Sequence, residues 1–196
     1  MSERGNERKN RKRQEQWRYN DSYLWEFPDT ILERVRKWRE VAQEQTDPFL
    51  KFIVEYIAFN ALFRAKYGHK ETERNIIDKL KGDIPMEVFD AAKIKQLRDL
   101  TPIANLRNVR LNRGTREITP EMLDHPENSI EAIYVTRNNL FHGDKDYSFE
   151  KDEKLVSIGY EILVDINDWL LKEFHKVEGE RGDLNSDEKN EEIKNG

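Results

Sequence analysis

Apolar residues along the chain recur mostly at the three- and four-residue spacing of a helix, and turn-forming residues lie between those runs. The first amphipathic run follows Pro28 and extends through Gln45. Asp47 and Pro48 then predict the N-cap and first position of a second helix, which is apolar on most sides and ends at Gly68. An apolar helix of that length predicts a central, buried element.

Four further helices are predicted along the chain. Residues 103–118 fit no single element: they favour either a short hairpin or a frayed helix followed by a loop. Gly159 is the only glycine inside a predicted element, which suggests close packing of two helices there. The remaining predicted helices cover residues 71–81, 85–100, 127–141 and 149–176. The pattern therefore predicts an all-α fold, a helical bundle of about five to seven helices.

Length and composition agree with a single helical domain. The chain has 196 residues, of which 36% are hydrophobic and 37% charged. Nine Gly and six Pro are too few for a turn-rich β-sandwich, while Glu, Lys, Arg and Leu are abundant. One core of ordinary size is expected.

Several classes of protein are excluded or disfavoured by composition. Cysteine is absent, which excludes disulfides, thiolate zinc sites, iron–sulfur clusters and a cysteine nucleophile. No apolar run approaches the roughly 18 residues of a membrane span, and no apolar signal core follows the polar start. We therefore expect a cytoplasmic protein with no membrane partner.

The two ends of the chain carry opposite charge, although the net charge is −5. Residues 1–18 hold seven Arg or Lys against three Glu, whereas residues 177–196 hold seven acidic residues against three basic ones. Neither end has apolar periodicity, so a basic flexible tail, a helical domain over residues 19–176 and an acidic flexible tail are predicted. The basic tail would attract a polyanion such as RNA, or be simply solvated.

The residues that indicate chemistry lie at the end of the predicted helix 127–141. Residues 137–143 read Arg-Asn-Asn-Leu-Phe-His-Gly. Arg137 supplies a permanent planar cation suited to two phosphate oxygens, and His142 exchanges protons near neutral pH. The two would not share a face of a regular helix, but Gly143 predicts that the helix frays and lets the imidazole turn.

The segment Arg-Asn-x-x-x-His resembles the signature of the HEPN superfamily, in which an arginine and a polar residue precede a histidine by a few positions. Residues 55–63, Glu-Tyr-Ile-Ala-Phe-Asn-Ala-Leu-Phe, are similar to the early helix of these domains, where a polar residue interrupts an apolar run. The order of helices also fits. The resemblance covers roughly residues 29–176.

Membership would imply an all-α bundle that forms a homodimer, in which the Arg/His motifs of both protomers meet in one cleft. Active members of the superfamily are endoribonucleases that need no metal or other cofactor, and they occur in toxin–antitoxin, antiphage and CRISPR settings. The resemblance makes Arg137 and His142 the catalytic pair and Asn138 the residue that positions them. RNA and an antitoxin or other regulatory protein are the implied partners.

The chemistry of RNA is consistent with such a pair. The 2′-hydroxyl beside the scissile phosphate is the nucleophile, and its attack leaves a 2′,3′-cyclic phosphate and a 5′-hydroxyl. Arg137 would stabilise the phosphorane, and His142 would act as general base or general acid.

Four more side chains are candidates for RNA binding or for support of the pair. Asn60 lies inside an apolar helix and needs a partner if buried, for which the motif helix is a candidate; otherwise it is half-exposed. Arg107 and Arg110 begin a row of arginines that would follow an RNA backbone or form a solvated face. Lys145 follows the motif, and no metal site is predicted.

Two other functions remain open. A HEPN module without catalysis would bind RNA or a partner protein through the same cleft. A plain helical assembly protein would have no active site.

Overall fold

The computed structural model describes residues 28–68, 70–106, 117–142 and 149–194, with side chains described between 31 and 175. Two strands of two residues each, β1 (Ile103–Ala104) and β2 (Glu117–Ile118), pair antiparallel, with Ile103 opposite Ile118. The helices within these ranges are α1 (Pro28–Glu44), α2 (Pro48–Tyr67), α3 (Glu73–Asp83), α4 (Ala91–Asp99), α5 (Asn128–Phe141) and α6 (Glu150–Lys194). The all-α prediction is confirmed for the described residues.

Local capping explains where α2 begins and ends. The side chain of Asp47 accepts a hydrogen bond from the backbone N–H of Leu50 at 2.9 Å, and Pro48 is the first helical residue, as predicted. Gly68 follows the last turn with φ of 96°, a backbone conformation that glycine adopts without steric cost. Both ends of the central helix therefore follow from local sequence.

The prediction of one helix over residues 85–100 is wrong. A 3₁₀ turn (Met86–Val88) and α4 replace it. The carboxylate of Asp90 accepts hydrogen bonds from the backbone N–H groups of Ala92 and Lys93, at 2.7 and 3.0 Å. An aspartate in this role begins a new helix, and its side-chain hydrogen bonds disfavour a continuous helix through the same position.

The structure differs from the prediction at the end of the last helix, and it describes only part of the segment 103–118. Helix α6 continues to Lys194 instead of ending at residue 176, so the predicted acidic tail is helical in its backbone. In the ambiguous segment 103–118, the structure has β1 at the start and β2 at the end. The basic tail 1–18 and residues 107–116 lie outside the described residues.

Among the described helices, none has both the length and the apolar character needed to cross a membrane.

Helix α2 packs mainly against α1 and α6, and its aromatic side chains form the centre of the core. The rings of Tyr56 and Phe59 meet edge to face at 5.3 Å, and those of Phe59 and Phe63 at 4.7 Å. Such pairs add to the roughly 1.5–3 kcal/mol that burial of each large apolar side chain contributes. The fold is therefore organised around α2.

A polar network on the other side of α2 joins it to α1 and α6. The Glu55 carboxylate, 1% exposed, accepts hydrogen bonds from Arg39 Nε at 3.0 Å and from Asn167 Nδ2 at 2.8 Å. Arg39 also donates to Asp168 at 2.6 Å. Burial raises the pKa of Glu55 above its ordinary value, against the opposing effect of Asn167 and Arg39. The network fixes the relative orientation of the three helices.

Close packing of α6 on α2 occurs at Gly159, as the sequence predicts. A Cβ atom at this position would lie 2.9 Å from the ring of Phe52, which is fully buried. Real Cβ contacts are not this short, so a larger residue would force the ring or the helix to move.

We predict that Gly159→Ala lowers the free energy of unfolding by about 1–3 kcal/mol, because the added methyl overpacks the α2–α6 contact. Gly82→Ala is the matched control: a Cβ there meets nothing within 4 Å, and alanine should stabilise α3 by about 0.5–1 kcal/mol. Urea denaturation followed by circular dichroism measures both. Equal effects of the two substitutions would contradict the packing argument.

Candidate functional site

The motif residues lie on the last turn of α5 and just beyond it. The helix ends at Phe141, and the backbone N–H of His142 donates to the Asn138 carbonyl at 3.1 Å. The residue after the helix therefore carries the candidate imidazole, and Arg137 lies one turn back. Residues 143–148 are outside the described part of the chain.

Arg137 is held from several directions. Its Nη1 donates to Asn138 Oδ1 at 2.9 Å and to Glu73 Oε2 at 3.3 Å. The guanidinium carbon lies 4.6 Å from the ring centre of Phe141 and 5.1 Å from that of Tyr56. The side chain is 22% exposed, and Nε is buried with no hydrogen-bond partner in the part of the chain that the structure describes. The cation is thus oriented while one of its donors is unused.

Glu73 is the site residue that sequence reasoning missed. It occupies the first turn of α3, after the N-cap Thr72, where a carboxylate is favoured by the helix dipole. Its two oxygens accept from different helices: Oε1 from the Tyr56 hydroxyl at 2.9 Å and Oε2 from Arg137. Burial raises the pKa of Tyr56 well above its usual range, and the charge of Glu73 adds to the effect. The phenol therefore acts as a neutral donor.

His142 is exposed, and among the described residues its side chain has no hydrogen bond or ion pair. The structure brings Arg137 and Asn138 together but shows no bond from either to the imidazole within the described ranges. The imidazole is open to solvent and to any incoming ligand.

Asn60 follows the half-exposed alternative, and among the described residues no hydrogen bond joins it to the motif helix. It is half-buried, and its Oδ1 accepts from Arg64 Nε at 2.9 Å, one turn later in α2. A side chain near the helix surface satisfies its carbonyl locally and needs no distant partner. The other candidates, Arg107, Arg110 and Lys145, lie outside the described residues.

Asn139, the neighbour of Asn138, has a structural task that the motif does not reveal. It is fully buried; its Nδ2 donates to the Ala104 carbonyl at 2.8 Å, and its Oδ1 accepts from the backbone N–H of Leu106 at 3.2 Å. An amide that satisfies both a carbonyl and an N–H fixes β1 against α5.

A second charged group borders the site. Arg74 follows Glu73 along the chain and forms ion pairs with Glu131 of α5 and with Asp78 of its own helix, the latter at 2.6 Å. Its guanidinium carbon is 6.0 Å from the ring centre of Tyr134. Helices α3 and α5 are therefore joined by two adjacent Arg–Glu pairs, of which only the Arg137 pair includes motif residues.

A groove of about 700 Å³ lies between α4 and α6, and none of the motif residues lines it. Its walls carry Asp99, Glu150, Glu153 and Glu161 against Lys154, with Ile158 and Leu100 as apolar surface. Negative walls repel a polyanion. The groove is therefore not interpreted as an RNA site, despite its size.

The donor sets of the described residues do not form a metal site. No group of three or more His, Asp or Glu side chains within the described ranges is close enough to hold a metal ion. The described groups at the site are a guanidinium, an imidazole, an amide and a carboxylate.

Comparisons with models of known families, with curated proteins and with solved structures found no match. The interpretation of the site therefore depends on its geometry and on the motif. The resemblance to the HEPN superfamily stays a prediction.

We predict that Glu73→Ala lowers the free energy of unfolding by about 2 kcal/mol, because it leaves the buried Tyr56 hydroxyl and Arg137 without their shared acceptor. Chemical denaturation monitored by tryptophan fluorescence measures the change. The control Asp78→Ala removes a carboxylate of the same helix that is 54% exposed and should cost less than about 0.5 kcal/mol. Similar losses in both variants would show that Glu73 is not a structural link.

Proposed function

We propose that the chain is a metal-independent endoribonuclease that cleaves single-stranded RNA as a homodimer. The 2′-hydroxyl attacks the adjacent phosphorus, the P–O2′ bond forms and the P–O5′ bond breaks. The products are a 2′,3′-cyclic phosphate and a 5′-hydroxyl. No cofactor is needed, because the substrate supplies its own nucleophile.

One observation carries the proposal: the guanidinium of Arg137 is oriented by Asn138 and two aromatic rings, while its buried Nε has no hydrogen-bond partner among the described residues. An unpaired buried donor costs free energy that an anionic oxygen would recover. A guanidinium with one unpaired N–H among the described residues suits a phosphate oxygen, whose negative charge increases in the phosphorane. The geometry thus supports the binding of a phosphate more than of any other class of ligand.

His142 supplies proton transfer in this proposal. Its exposed imidazole, immediately after α5, is accessible to a substrate held at Arg137. A neutral imidazole would take the proton of the 2′-hydroxyl, and an imidazolium would protonate the leaving 5′-oxygen. Either role is worth about 10²–10⁴-fold in rate.

The homodimer follows from the number of groups that the reaction needs. One protomer offers one imidazole at the motif, whereas the complete proton transfer uses a base and an acid. A second copy of the chain would supply the other imidazole and a second guanidinium at the same cleft. Isologous pairing is the commonest way for a chain to form such a symmetric site.

The biological setting that the motif suggests is a toxin or antiphage defence protein, with an antitoxin or regulatory protein as partner. An RNA-cleaving enzyme damages its own cell unless its activity is restrained. We include this setting in the proposal on the strength of the motif resemblance alone.

A non-catalytic module that binds RNA or a partner protein is the second candidate function. The ion pair between Glu73 and Arg137 favours it, because a guanidinium already paired with a carboxylate attracts a phosphate less strongly. In that case the same surface would bind without transferring protons.

We predict that the purified protein cleaves single-stranded RNA in excess EDTA and leaves 2′,3′-cyclic phosphate ends. Arg137→Ala and His142→Ala should each lower the rate at least about 100-fold, because one removes charge stabilisation and the other proton transfer. Gel electrophoresis with mass spectrometry of the fragments measures rate and end chemistry.

Arg36→Ala and His125→Ala serve as controls, since both residues are exposed and distant in sequence from the motif. Both control variants should cleave RNA at the wild-type rate. Binding without cleavage would support the non-catalytic alternative, and cleavage that requires a metal would refute the mechanism.

We predict a mass of about 47 kDa by light scattering at micromolar concentration, twice the 23.5 kDa of the chain. Two copies are expected because the proposed site uses groups from both. A monomer that cleaves RNA at the same concentration would refute the shared site but leave the activity intact.

A further inference from the structure

Phe141 is exposed at the site, whereas most of the described aromatic side chains are at least partly buried. Its exposed fraction is 59%, whereas Phe49, Phe52, Phe59 and Phe63 of α2 are 2% exposed or less. A single exposed aromatic ring is common on protein surfaces, and what distinguishes Phe141 is its contact with Arg137.

The position of Phe141 relates it to both motif residues. It is the last residue of α5 and immediately precedes His142. The guanidinium carbon of Arg137 lies 4.6 Å from its ring centre. Since the residue remains mostly exposed despite that contact, much of the ring surface is open beside the cation.

We propose that Phe141 is a stacking platform for an unpaired nucleobase of the RNA whose phosphate contacts Arg137. This inference rests on the proposed function. Each nucleotide joins a flat apolar base to a charged phosphate, and here an open aromatic ring and a guanidinium lie side by side. Aromatic stacking accepts any base, because every base has a π-face.

The platform defines a substrate class. In a duplex both faces of a base are covered by its neighbours, so only a base in a single strand, loop or bulge can lie on the ring. Recognition would therefore depend on strand conformation more than on sequence. Duplex RNA of the same length should compete poorly.

Phe149 provides a matched control. It is 61% exposed, of the same residue type, and separated from Phe141 only by a short segment that begins with His142. The structure gives it no contact with Arg137 among the described residues. If RNA affinity depends only on exposed apolar surface, alanine at either position should weaken it. If it depends on stacking beside the phosphate site, only Phe141→Ala should weaken it.

The test measures the affinity of fluorescent 2′-O-methyl single-stranded RNA, which cannot be cleaved, by anisotropy. Phe141→Ala should weaken binding at least fivefold, Phe149→Ala less than twofold, and Phe141→Trp should retain the wild-type affinity. With an abasic probe, wild type and Phe141→Ala should bind equally. Circular dichroism and light scattering establish that the variants fold and keep their oligomeric state.

A loss below fivefold, an equal loss at Phe149, or a difference that persists with the abasic probe would overturn the stacking role. Dissociation of a dimer by Phe141→Ala would overturn it too, since the ring would then cover a second copy of the chain. Cleavage by wild type with no effect of Phe141 would leave the proposed function standing. Binding that depends on Phe141 without any cleavage would refute the enzyme and keep the platform.

Discussion

Two adjacent residues of α2, Glu55 and Tyr56, connect the aromatic core to two polar networks. The Glu55 carboxylate binds Arg39 of α1 and Asn167 of α6, while the Tyr56 hydroxyl binds Glu73 of α3. Successive residues on a helix point in directions about 100° apart, so one buried turn serves two networks. Because the aromatic face of α2 is fully buried, neither network can shift without disturbing the core. The orientation of α2 thus determines both the helix packing and the candidate site.

The candidate site is an extension of that core. Tyr56 orients Glu73, Glu73 binds Arg137, and the Tyr56 ring also contacts the guanidinium directly. Residues from α2, α3 and α5 therefore meet at one cation, and each contact limits the positions that it can adopt. A side chain restrained in this way loses little conformational entropy when it binds a ligand. His142, just beyond the helix, lacks such restraints among the described residues, which would suit the proton transfer proposed for it.

Sequence reasoning succeeded where the signal was local and failed where the partner was distant. Asp47 and Gly68 act on adjacent backbone groups, so the ends of α2 were predictable. Asp90 carries the same kind of capping signal but lies inside an apolar-periodic run, and the periodicity concealed it. The Arg137–Asn138 contact joins sequence neighbours, whereas Glu73 lies 64 positions from Arg137 and could be paired only once the fold was known. Asn60 is half-exposed, one of the two alternatives open for it, and its partner Arg64 lies one turn away on the same helix.

The charge of the chain limits how the proposed site can work. A net charge of −5 and the acidic groove between α4 and α6 give no long-range attraction for a polyanion over the described surface. Glu73 further reduces the electric field of Arg137, and the guanidinium therefore acts mainly at hydrogen-bonding distance. Affinity for RNA would then come from short-range contacts, namely the unused Nε of Arg137 and the open ring of Phe141. A site of this kind would select strands that can present a phosphate and an unstacked base together, and it would bind other polyanions weakly.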